Sequence, residues 1–264
     1  MKSLLVMSNM IYNELTIMNT FLYNFFHTET NDRTEKGLVN IPTDKNSWPE
    51  SWKIITAKRY SLFQEIPLPL VGGFFFEEIL RGRRSSEGHS IENILSISTL
   101  SYILRCGYGL QGSRGEGKRD VHRTVPSAGA LYPLEVYVFL FKHIDTCAPG
   151  IYHYSVKNHS LEPVVTAPFS HEDIFLFAPE QAWLQDTSAM ICITSVFRRT
   201  VEKYGSRGYR YILLEAGHVA QNMLLAGTEK KVNIIPIGGV EADKIEKKIG
   251  LSGTEEGVVY ALFL

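Results

Sequence analysis

The stretch R-T-V-P-S-A-G-A-L-Y-P-L-E-V-Y-V-F-L-F, residues 123–141, joins a run of small residues to a strongly apolar segment. Residues 134–141 are mostly β-branched, aromatic or aliphatic, which predicts a β-strand. Before them stand Pro126, Ser127, Ala128 and Gly129, which are typical of a turn. Because such a turn carries no large side chain, it also allows a flat ligand to lie directly against the backbone.

The segments on either side predict a mixture of helices and strands. Further strands are expected at 150–156, 159–165, 189–196 and 258–264, the first two forming a hairpin around Lys157-Asn158. Helical periodicity runs twice through 74–105 with a break at 81–88, Gly107 and Gly109 end the second helix, and helices are also expected at 209–228 and 243–249. Since no regular β-α-β alternation is present, we predict an α+β fold with mainly antiparallel strands.

Composition excludes several classes of protein. Among 264 residues, 27 basic side chains face 28 acidic ones, so no overall charge favours nucleic acid or an anionic membrane. Cys106, Cys147 and Cys192 are widely spaced, which indicates neither a disulfide framework nor a zinc site and favours a cytoplasmic protein. The apolar N-terminus is interrupted by polar residues, so we interpret it as an amphipathic or extended arm rather than a membrane segment.

A polar, proline- and glycine-containing stretch at 27–50 predicts a linker between this arm and the main body. We therefore expect an N-terminal arm and linker at 1–70 and one domain at 71–264.

Two kinds of ligand-binding group stand out. Arg83, Arg84 and Ser85, at the break between two predicted helices, combine guanidinium groups, a hydroxyl and a helix start, as phosphate sites do; a solvated basic turn is the simpler alternative. Arg123 is a possible third cation. A second small-residue run ends in Gly238 and Gly239, so two bare backbone patches and one cationic patch suggest a phosphorylated aromatic cofactor. Neither a dinucleotide-binding nor a P-loop motif is present.

The segment 197–210 concentrates five basic residues and two tyrosines. Like charges and partial burial both favour the neutral form of a lysine amine, so Lys203 is a candidate base; a basic surface loop is the alternative. On the long helix, Glu215 and His218 have the spacing of a carboxylate-bridged di-iron site, but no second such motif occurs. We therefore predict a packed or interface helix whose Glu215, His218 and Asn222 share one face and form local hydrogen bonds, and no metal site.

Four motifs together resemble the SagB-type, or azoline, dehydrogenases, a branch of the nitroreductase-like flavoproteins. They are R-R-S at 83–85, R-T-V-P-S-A-G-A-L-Y-P-L-E-V-Y-V at 123–138, E-K-Y-G-S-R-G-Y-R-Y-I-L-L-E-A-G-H-V-A-Q-N at 202–222 and P-I-G-G-V-E-A-D at 236–243. The resemblance runs from about Trp48 to Tyr260, and the first 45 residues carry little of it.

The resemblance implies a nitroreductase-like α+β fold: a mainly antiparallel central sheet flanked by helices, in a homodimer with the long helix at its interface and one FMN per subunit interface. The small turn, Pro126, Ser127, Ala128 and Gly129, would then lie against the isoalloxazine ring. By the same resemblance Arg83, Arg84 and Ser85 would hold the phosphate and ribityl end, and the backbone of Gly238 and Gly239 would face the ring.

The implied reaction is oxidation of thiazoline or oxazoline rings in a ribosomally made peptide to thiazole or oxazole, with O2 reoxidising the flavin. Lys203 and Tyr204 match the pair associated with proton abstraction, and the implied partners are an azoline-containing precursor peptide and a cyclodehydratase complex. Two alternatives stay open: an NAD(P)H-dependent nitro or quinone reductase of the same fold, and a non-catalytic scaffold subunit of a peptide-modifying complex.

The chain departs from the family pattern in its basic residues. Ser86 and Glu87 follow R-R-S where many relatives have a further arginine, and no lysine or arginine follows Lys248. Arg83, Arg84 and Arg123 are therefore the residues expected to bind the phosphate.

Overall fold

A computed structural model describes residues 22–30, 44–49, 68–69, 72–85, 95–113, 121–179, 181, 184 and 187–264. The helices are α1 (Phe75–Gly82), α2 (Ile97–Tyr108), α3 (His171–Phe177), α4 (Arg198–Tyr204), α5 (Arg207–Glu229) and α6 (Ala242–Ile249), and residues 22–30 form a further helical segment. Short 3-10 turns lie at Lys45–Ser47 and Ala128–Ala130.

The strands form a six-stranded antiparallel sheet and a two-stranded one. In order across the large sheet they are β5 (Ser160–Val165), β4 (Gly150–Ser155), β3 (Leu134–Leu140), β6 (Ala189–Val196), β8 (Glu256–Phe263) and β7 (Ile235–Ile237). The small sheet pairs β1 (Leu110–Ser113) with β2 (Val121–Arg123) and was not predicted. The predicted α+β fold with a mainly antiparallel sheet flanked by helices is confirmed.

Apart from Glu135, the central strand β3 is apolar because both of its faces are covered. Leu134, Val136, Val138 and Leu140 join a core with α2 and α5, whereas Tyr137, Phe139 and Phe141 join a second core with α3 and α6. Alternate side chains of a strand point to opposite faces, so a strand buried on both sides reads as a continuous apolar run.

Helices α2 and α5 pack closely through a glycine. A Cβ placed on Gly107 would lie 2.4 Å from Cγ of Met223, so no larger residue fits without movement of that side chain. Gly107 lies inside α2, whereas Gly109 caps its C-terminus by donating to the Arg105 carbonyl. The prediction that Gly107 ends the helix is therefore wrong, because tight helix packing and not termination requires a glycine there.

The N-terminal helical segment 22–30 packs against the main body. Tyr23 and His27 are buried, whereas Leu22, Phe25 and Phe26 are about half exposed. Most of the predicted arm and linker lies outside the described residues, and the boundary at residue 70 stays a prediction. No helix in the described part of the chain has the length and apolarity that membrane crossing requires.

Candidate functional site

The small-residue run forms an unusually wound turn. Gly129 has φ of 65°, and Ala130 and Tyr132 also lie in the left-handed region, with φ of 52° and 47°. Two hydrogen bonds close the turn: the Ala130 amide donates to the Ser127 carbonyl at 3.0 Å, and the Tyr132 amide donates to Ser127 Oγ at 2.9 Å. Small side chains and a serine acceptor therefore suit this backbone path, which leads directly into β3.

Lys203 and Tyr204 end the short helix α4. The chain reverses at Gly205, which has φ of 60° and donates its amide to the Val201 carbonyl at 2.8 Å. Gly208, at the start of α5, lies so close to α4 that a Cβ would be 3.0 Å from the Val201 Cα atom. This tight helix-turn-helix fixes the direction in which Lys203 and Tyr204 leave the backbone. The basic segment is thus helical on both sides of a turn and not a loop, although its basic side chains do lie at the surface.

The turn and the Lys203-Tyr204 pair meet at Gly129. A Cβ built on Gly129 would be 2.7 Å from Lys203 Nζ and 2.7 Å from the Tyr204 hydroxyl oxygen. Lys203 Nζ lies 5.2 Å from the centre of the Tyr204 ring, and the Tyr204 ring meets Tyr211 edge-on at 5.2 Å. Two motifs that the sequence separates by more than 70 residues therefore form one site, with an exposed amine beside a bare backbone.

Arg123 lies beneath this turn between two aromatic rings. Its guanidinium carbon is 4.0 Å from the centre of the Tyr108 ring and 5.0 Å from that of Tyr132. Its backbone amide also donates to the Tyr132 hydroxyl at 3.2 Å. One terminal nitrogen, Nη1, is buried and has no hydrogen-bond partner among the described residues. Such an orphan donor is rare, and a bound acceptor would satisfy it.

A buried carboxylate on the long helix α5, that of Glu215, interacts with the charge of Arg123. Glu215 is 3% exposed and accepts a hydrogen bond from the Tyr108 hydroxyl at 3.0 Å. Burial raises the pKa of Glu215, although hydrogen bonds from Ser127 and Tyr108 and the nearby Arg123 charge oppose that rise. Glu215 and Asn222 do form hydrogen bonds, but with residues distant in sequence; Asn222 donates to the Thr124 carbonyl at 3.4 Å. His218 is exposed and does not share this face.

A cleft of about 370 Å³ opens beside the turn. Its walls include Arg123, Pro126, Ser127, Ala130 and Tyr132. Sequence reasoning identified the first three of these, but it missed the tyrosines Tyr108 and Tyr132 that enclose Arg123. Tyr132 lies inside the motif at 123–138 and Tyr108 directly precedes the glycine that caps α2, but neither position indicates a contact with Arg123.

Arg83, Arg84 and Ser85 lie elsewhere. They follow the C-terminus of α1, where Arg83 Nη1 donates to Ser85 Oγ at 3.1 Å and Arg84 Nη1 donates to the Arg83 carbonyl at 2.9 Å. The expected helix start is not at this position: α1 ends here, and α2 begins at Ile97 after residues 86–94, which lie outside the described part. The three residues are exposed or half exposed.

These basic residues and the turn flank opposite ends of α5. A Cβ on Gly82, next to Arg83, would lie 3.3 Å from Thr228 Cγ2 near the C-terminus of α5, whereas Lys203 precedes its N-terminus. A helix of 23 residues spans roughly 34 Å. One chain therefore does not bring Arg83 and Arg84 to the P-S-A-G turn.

Gly238 and Gly239 follow the edge strand β7 and are exposed. A Cβ on Gly238 would meet no other atom within 4 Å, so open space lies above this backbone. The structure gives no contact between this pair and the P-S-A-G turn.

Two of the arginines near Lys203 are matched by carboxylates. Arg199 pairs with Glu135 at 2.5 Å, and Arg198 Nε is 3.9 Å from Glu202. Glu135 also contacts His153 Nε2 at 2.9 Å, and Glu162 contacts His153 Nδ1 at 3.2 Å. The cluster of uncompensated positive charge expected around Lys203 is therefore reduced by Glu135 on β3 and by Glu202 on α4.

The His153 cluster gives a pH dependence of stability. Hydrogen bonds to Glu135 and then Glu162 raise the pKa of His153 above its ordinary value of 6.5, although burial opposes this. Burial alone would raise the pKa of Glu135, but hydrogen bonds from His153 and Arg199 outweigh it and lower that pKa. The imidazolium thus stabilises the fold below pH 6.5, and this contribution is lost as the pH rises through the folded-state pKa of His153.

We expect the His153→Asn variant to lose more thermal stability relative to the parent at about pH 5.5 than at about pH 9. The reason is that only the protonated ring pairs with both carboxylates. Thermal melts at the two pH values measure the difference, with the exposed His143→Asn as the matched control. Equal losses at both values would show that His153 acts through packing alone.

No cluster of three or more histidine, cysteine, aspartate or glutamate side chains suited to a metal occurs within the described residues. Glu215 is buried whereas His218 is exposed, so this pair gives no support to a di-iron site.

Known proteins share this architecture. The Nitroreductase family model matches residues 80–264. The Methanocaldococcus jannaschii protein "Putative nitroreductase MJ1384" is 33% identical over 183 residues, a match covering 69% of this chain and 88% of that protein. The Escherichia coli microcin B17-processing protein McbC is 30% identical over 141 residues, but the match covers only 52% of this chain and 50% of McbC.

A chain in the structure of the E. coli microcin synthetase McbBCD complex with truncated pro-MccB17 bound superposes with a TM-score of 0.73. The two chains are 21% identical, and the match covers 95% of each. The shared fold, together with the similarity to McbC, supports the resemblance to the SagB-type branch. Since the family model spans more than half of the sequence, this chain belongs to the nitroreductase family.

Proposed function

We propose that the protein is an FMN-dependent dehydrogenase that oxidises thiazoline or oxazoline rings of a ribosomally synthesised peptide to thiazole or oxazole. The observation that carries this proposal is the meeting of Lys203 Nζ and the Tyr204 hydroxyl at Gly129, where a Cβ on the glycine would lie 2.7 Å from each. A proton-accepting amine beside a backbone bare enough for a flat ring is what this oxidation needs. Similarity to the microcin B17-processing protein McbC supports the choice of a peptide substrate.

The residues present fit FMN. Pro126 and Ser127 line the cleft beside the turn, the backbone at Gly238 is open, and the orphan Nη1 of Arg123 offers a donor to a ligand oxygen. Arg83, Arg84 and Ser85 supply the cations and hydroxyl for a phosphate, and Gly239 completes the second backbone patch. When bound, FMN would supply the two-electron acceptor that the oxidation needs, with O2 as the oxidant that regenerates it.

A homodimer would bring the separated groups together. Leu213 and Leu214 are 38% and 58% exposed and form an adjacent apolar pair on the outer face of α5. We propose that a second copy covers this face, so that Arg83 and Arg84 of one chain approach the turn of the other. A cyclodehydratase complex in the cytoplasm would deliver the azoline-containing peptide.

Each catalytic residue has one task in this scheme. The Lys203 amine accepts the proton from the ring Cα atom, and its place at the end of α4 directs it toward the turn. Tyr204 places its hydroxyl at Gly129 together with that amine and orients the azoline ring of the substrate. Glu215 and Tyr108 hold Arg123 under the turn, so that the flat surface keeps its shape.

The second candidate is an NAD(P)H-dependent nitro or quinone reductase. The 33% identity to the archaeal nitroreductase-like relative favours it, because that match covers more of the chain than the match to McbC. This activity would need FMN but no base at Lys203.

Mass spectrometry of an azoline-bearing peptide separates the two candidates. The peptide is incubated with the protein, FMN and air, and a loss of about two mass units per ring is expected for the dehydrogenase. No loss, combined with rapid NAD(P)H oxidation, would favour the reductase. Absence of both activities and of bound flavin would favour the scaffold subunit.

Arg84→Ala is expected to weaken FMN retention by about tenfold or more, because a charge-assisted contact to the phosphate is lost. The flavin content after dialysis, measured by absorbance, checks this. Arg81→Ala is the matched control, since Arg81 lies three residues earlier, is 79% exposed and pairs with Glu77. Undiminished flavin content in Arg84→Ala would rule out its phosphate role.

A further inference from the structure

Five aromatic side chains form a cluster beside the N-terminus of α4. Three come from the N-terminal helical segment and two from the main body, as follows: Tyr23, Phe26, His27, Phe197 and Tyr209. The ring of His27 is 4.8 Å from that of Phe197, and the ring of Tyr23 is 5.6 Å from the same partner. His27 Nδ1 also lies 2.8 Å from the Tyr209 hydroxyl, in a buried hydrogen bond.

The two body residues bracket the proposed catalytic segment. Phe197 is the N-cap residue of α4, and Tyr209 lies in the first turn of α5. Lys203 and Tyr204 stand between them in sequence. Any contact that fixes Phe197 and Tyr209 therefore fixes both ends of the helix-turn-helix that carries the proposed base.

Helix α4 depends on such contacts because it has only seven residues. A helix of that length is not stable by itself, and its position comes from tertiary packing. On the sheet side it is held by Arg199, which bonds Glu135 and the Tyr132 carbonyl. On the other side, the described residues provide the aromatic cluster.

The main body is shaped to receive His27. A Cβ on Gly257, in β8, would lie 2.7 Å from His27 Nε2, so a glycine leaves the room that this ring occupies. Yet His27 lies outside the part that matches the family model, which begins at residue 80. The segment 22–30 is therefore built into the fold although it lies outside the family-matched part of this chain.

We propose that segment 22–30 is a positioning element of the active site, in which Tyr23 and His27 hold Phe197 and Tyr209 so that Lys203 stays at Gly129. If these contacts were ordinary core packing, they would stabilise the whole domain evenly. As a positioning element, segment 22–30 instead stabilises mainly residues 198–208. The catalytic consequence rests on the proposed function, whereas the effect on the position of α4 does not.

Hydrogen exchange by mass spectrometry tests the positioning directly, in the full-length FMN-loaded protein. In His27→Ala, we expect amide exchange in 198–208 to rise about tenfold or more, while exchange in the C-terminal half of α5 stays unchanged. Tyr209→Phe, which keeps the ring and removes only the hydroxyl partner of His27, is expected to show a smaller rise in the same segment. The matched control is Phe25→Ala, since Phe25 belongs to the same segment but is 55% exposed.

Turnover completes the test. In His27→Ala the rate constant for azoline oxidation should fall while KM and FMN content stay near the parent values, because the amine and not the binding surface is displaced. Unchanged exchange in 198–208, or a rise spread evenly over the sheet, would overturn the proposal. A local rise in exchange combined with no azoline oxidation by the parent would support the positioning role and count against the proposed function only.

Discussion

Lys203→Ala is expected to lower the rate of azoline oxidation by about 10²- to 10⁴-fold, the range associated with loss of a positioned general base. The fold and the FMN content should be unchanged, because the Lys203 side chain is exposed and makes no ion pair in the described structure. Mass spectrometry of the azoline peptide, sampled over time, measures the rate.

Lys203→Arg sharpens this experiment. A guanidinium keeps the positive charge and similar length but does not give up its proton in proteins, so it cannot act as a base. We expect Lys203→Arg to be as impaired as Lys203→Ala, whereas a purely electrostatic role would leave Lys203→Arg active. Arg198→Ala, on the exposed side of the same helix, is the control and should retain parent activity. Parent-like rates in both Lys203 variants would remove the residue from the mechanism.

Gly129→Ala is expected to abolish most activity by a different route. The new Cβ would lie 2.7 Å from both Lys203 Nζ and the Tyr204 hydroxyl, and real Cβ atoms do not tolerate such contacts. The flexible lysine would move aside, and the added methyl would occupy the space beside the amine. The residue also has φ of 65°, which costs an L-residue about 1 kcal/mol. We expect a loss of activity of about 10²-fold or more with only a modest fall in melting temperature.

Gly250→Ala separates backbone strain from the contact. Gly250 has φ of 90° at the C-terminus of α6, and a Cβ there would meet nothing within 4 Å. This control should therefore lose a similar amount of stability and keep its activity. If Gly129→Ala and Gly250→Ala were equally active, the meeting of Gly129 with Lys203 would have no role in turnover.

The sequence predicted local structure well where one local signal dominates. Strand β3 and helix α5 follow from continuous apolar runs and helical periodicity, since burial on two sides leaves a clear pattern. The small sheet of β1 and β2 was missed because its strands have three or four residues and no alternation of apolar and polar positions. Helix α4 was not predicted, because its basic residues indicate that the segment is exposed and do not indicate its backbone conformation.

The site was predicted as a set of residues but not as an arrangement. The resemblance to a family identified Lys203 and the turn, but only the fold shows that they meet at Gly129. The aromatic partners of Arg123 and the contact of His27 with Tyr209 depend on pairs far apart in sequence. Such contacts leave no periodicity in one sequence, so propensity and spacing cannot find them.

The position of Arg84 and Lys203 at opposite ends of α5 has a genetic consequence. If each site takes its phosphate-binding residues from one chain and its base from the other, two impaired variants complement each other. Mixed dimers of Lys203→Ala and Arg84→Ala chains then contain one site with both defects and one with neither. After dialysis, random reassortment of equal amounts would restore about a quarter of the parent activity, whereas each variant by itself would keep only its own residual activity.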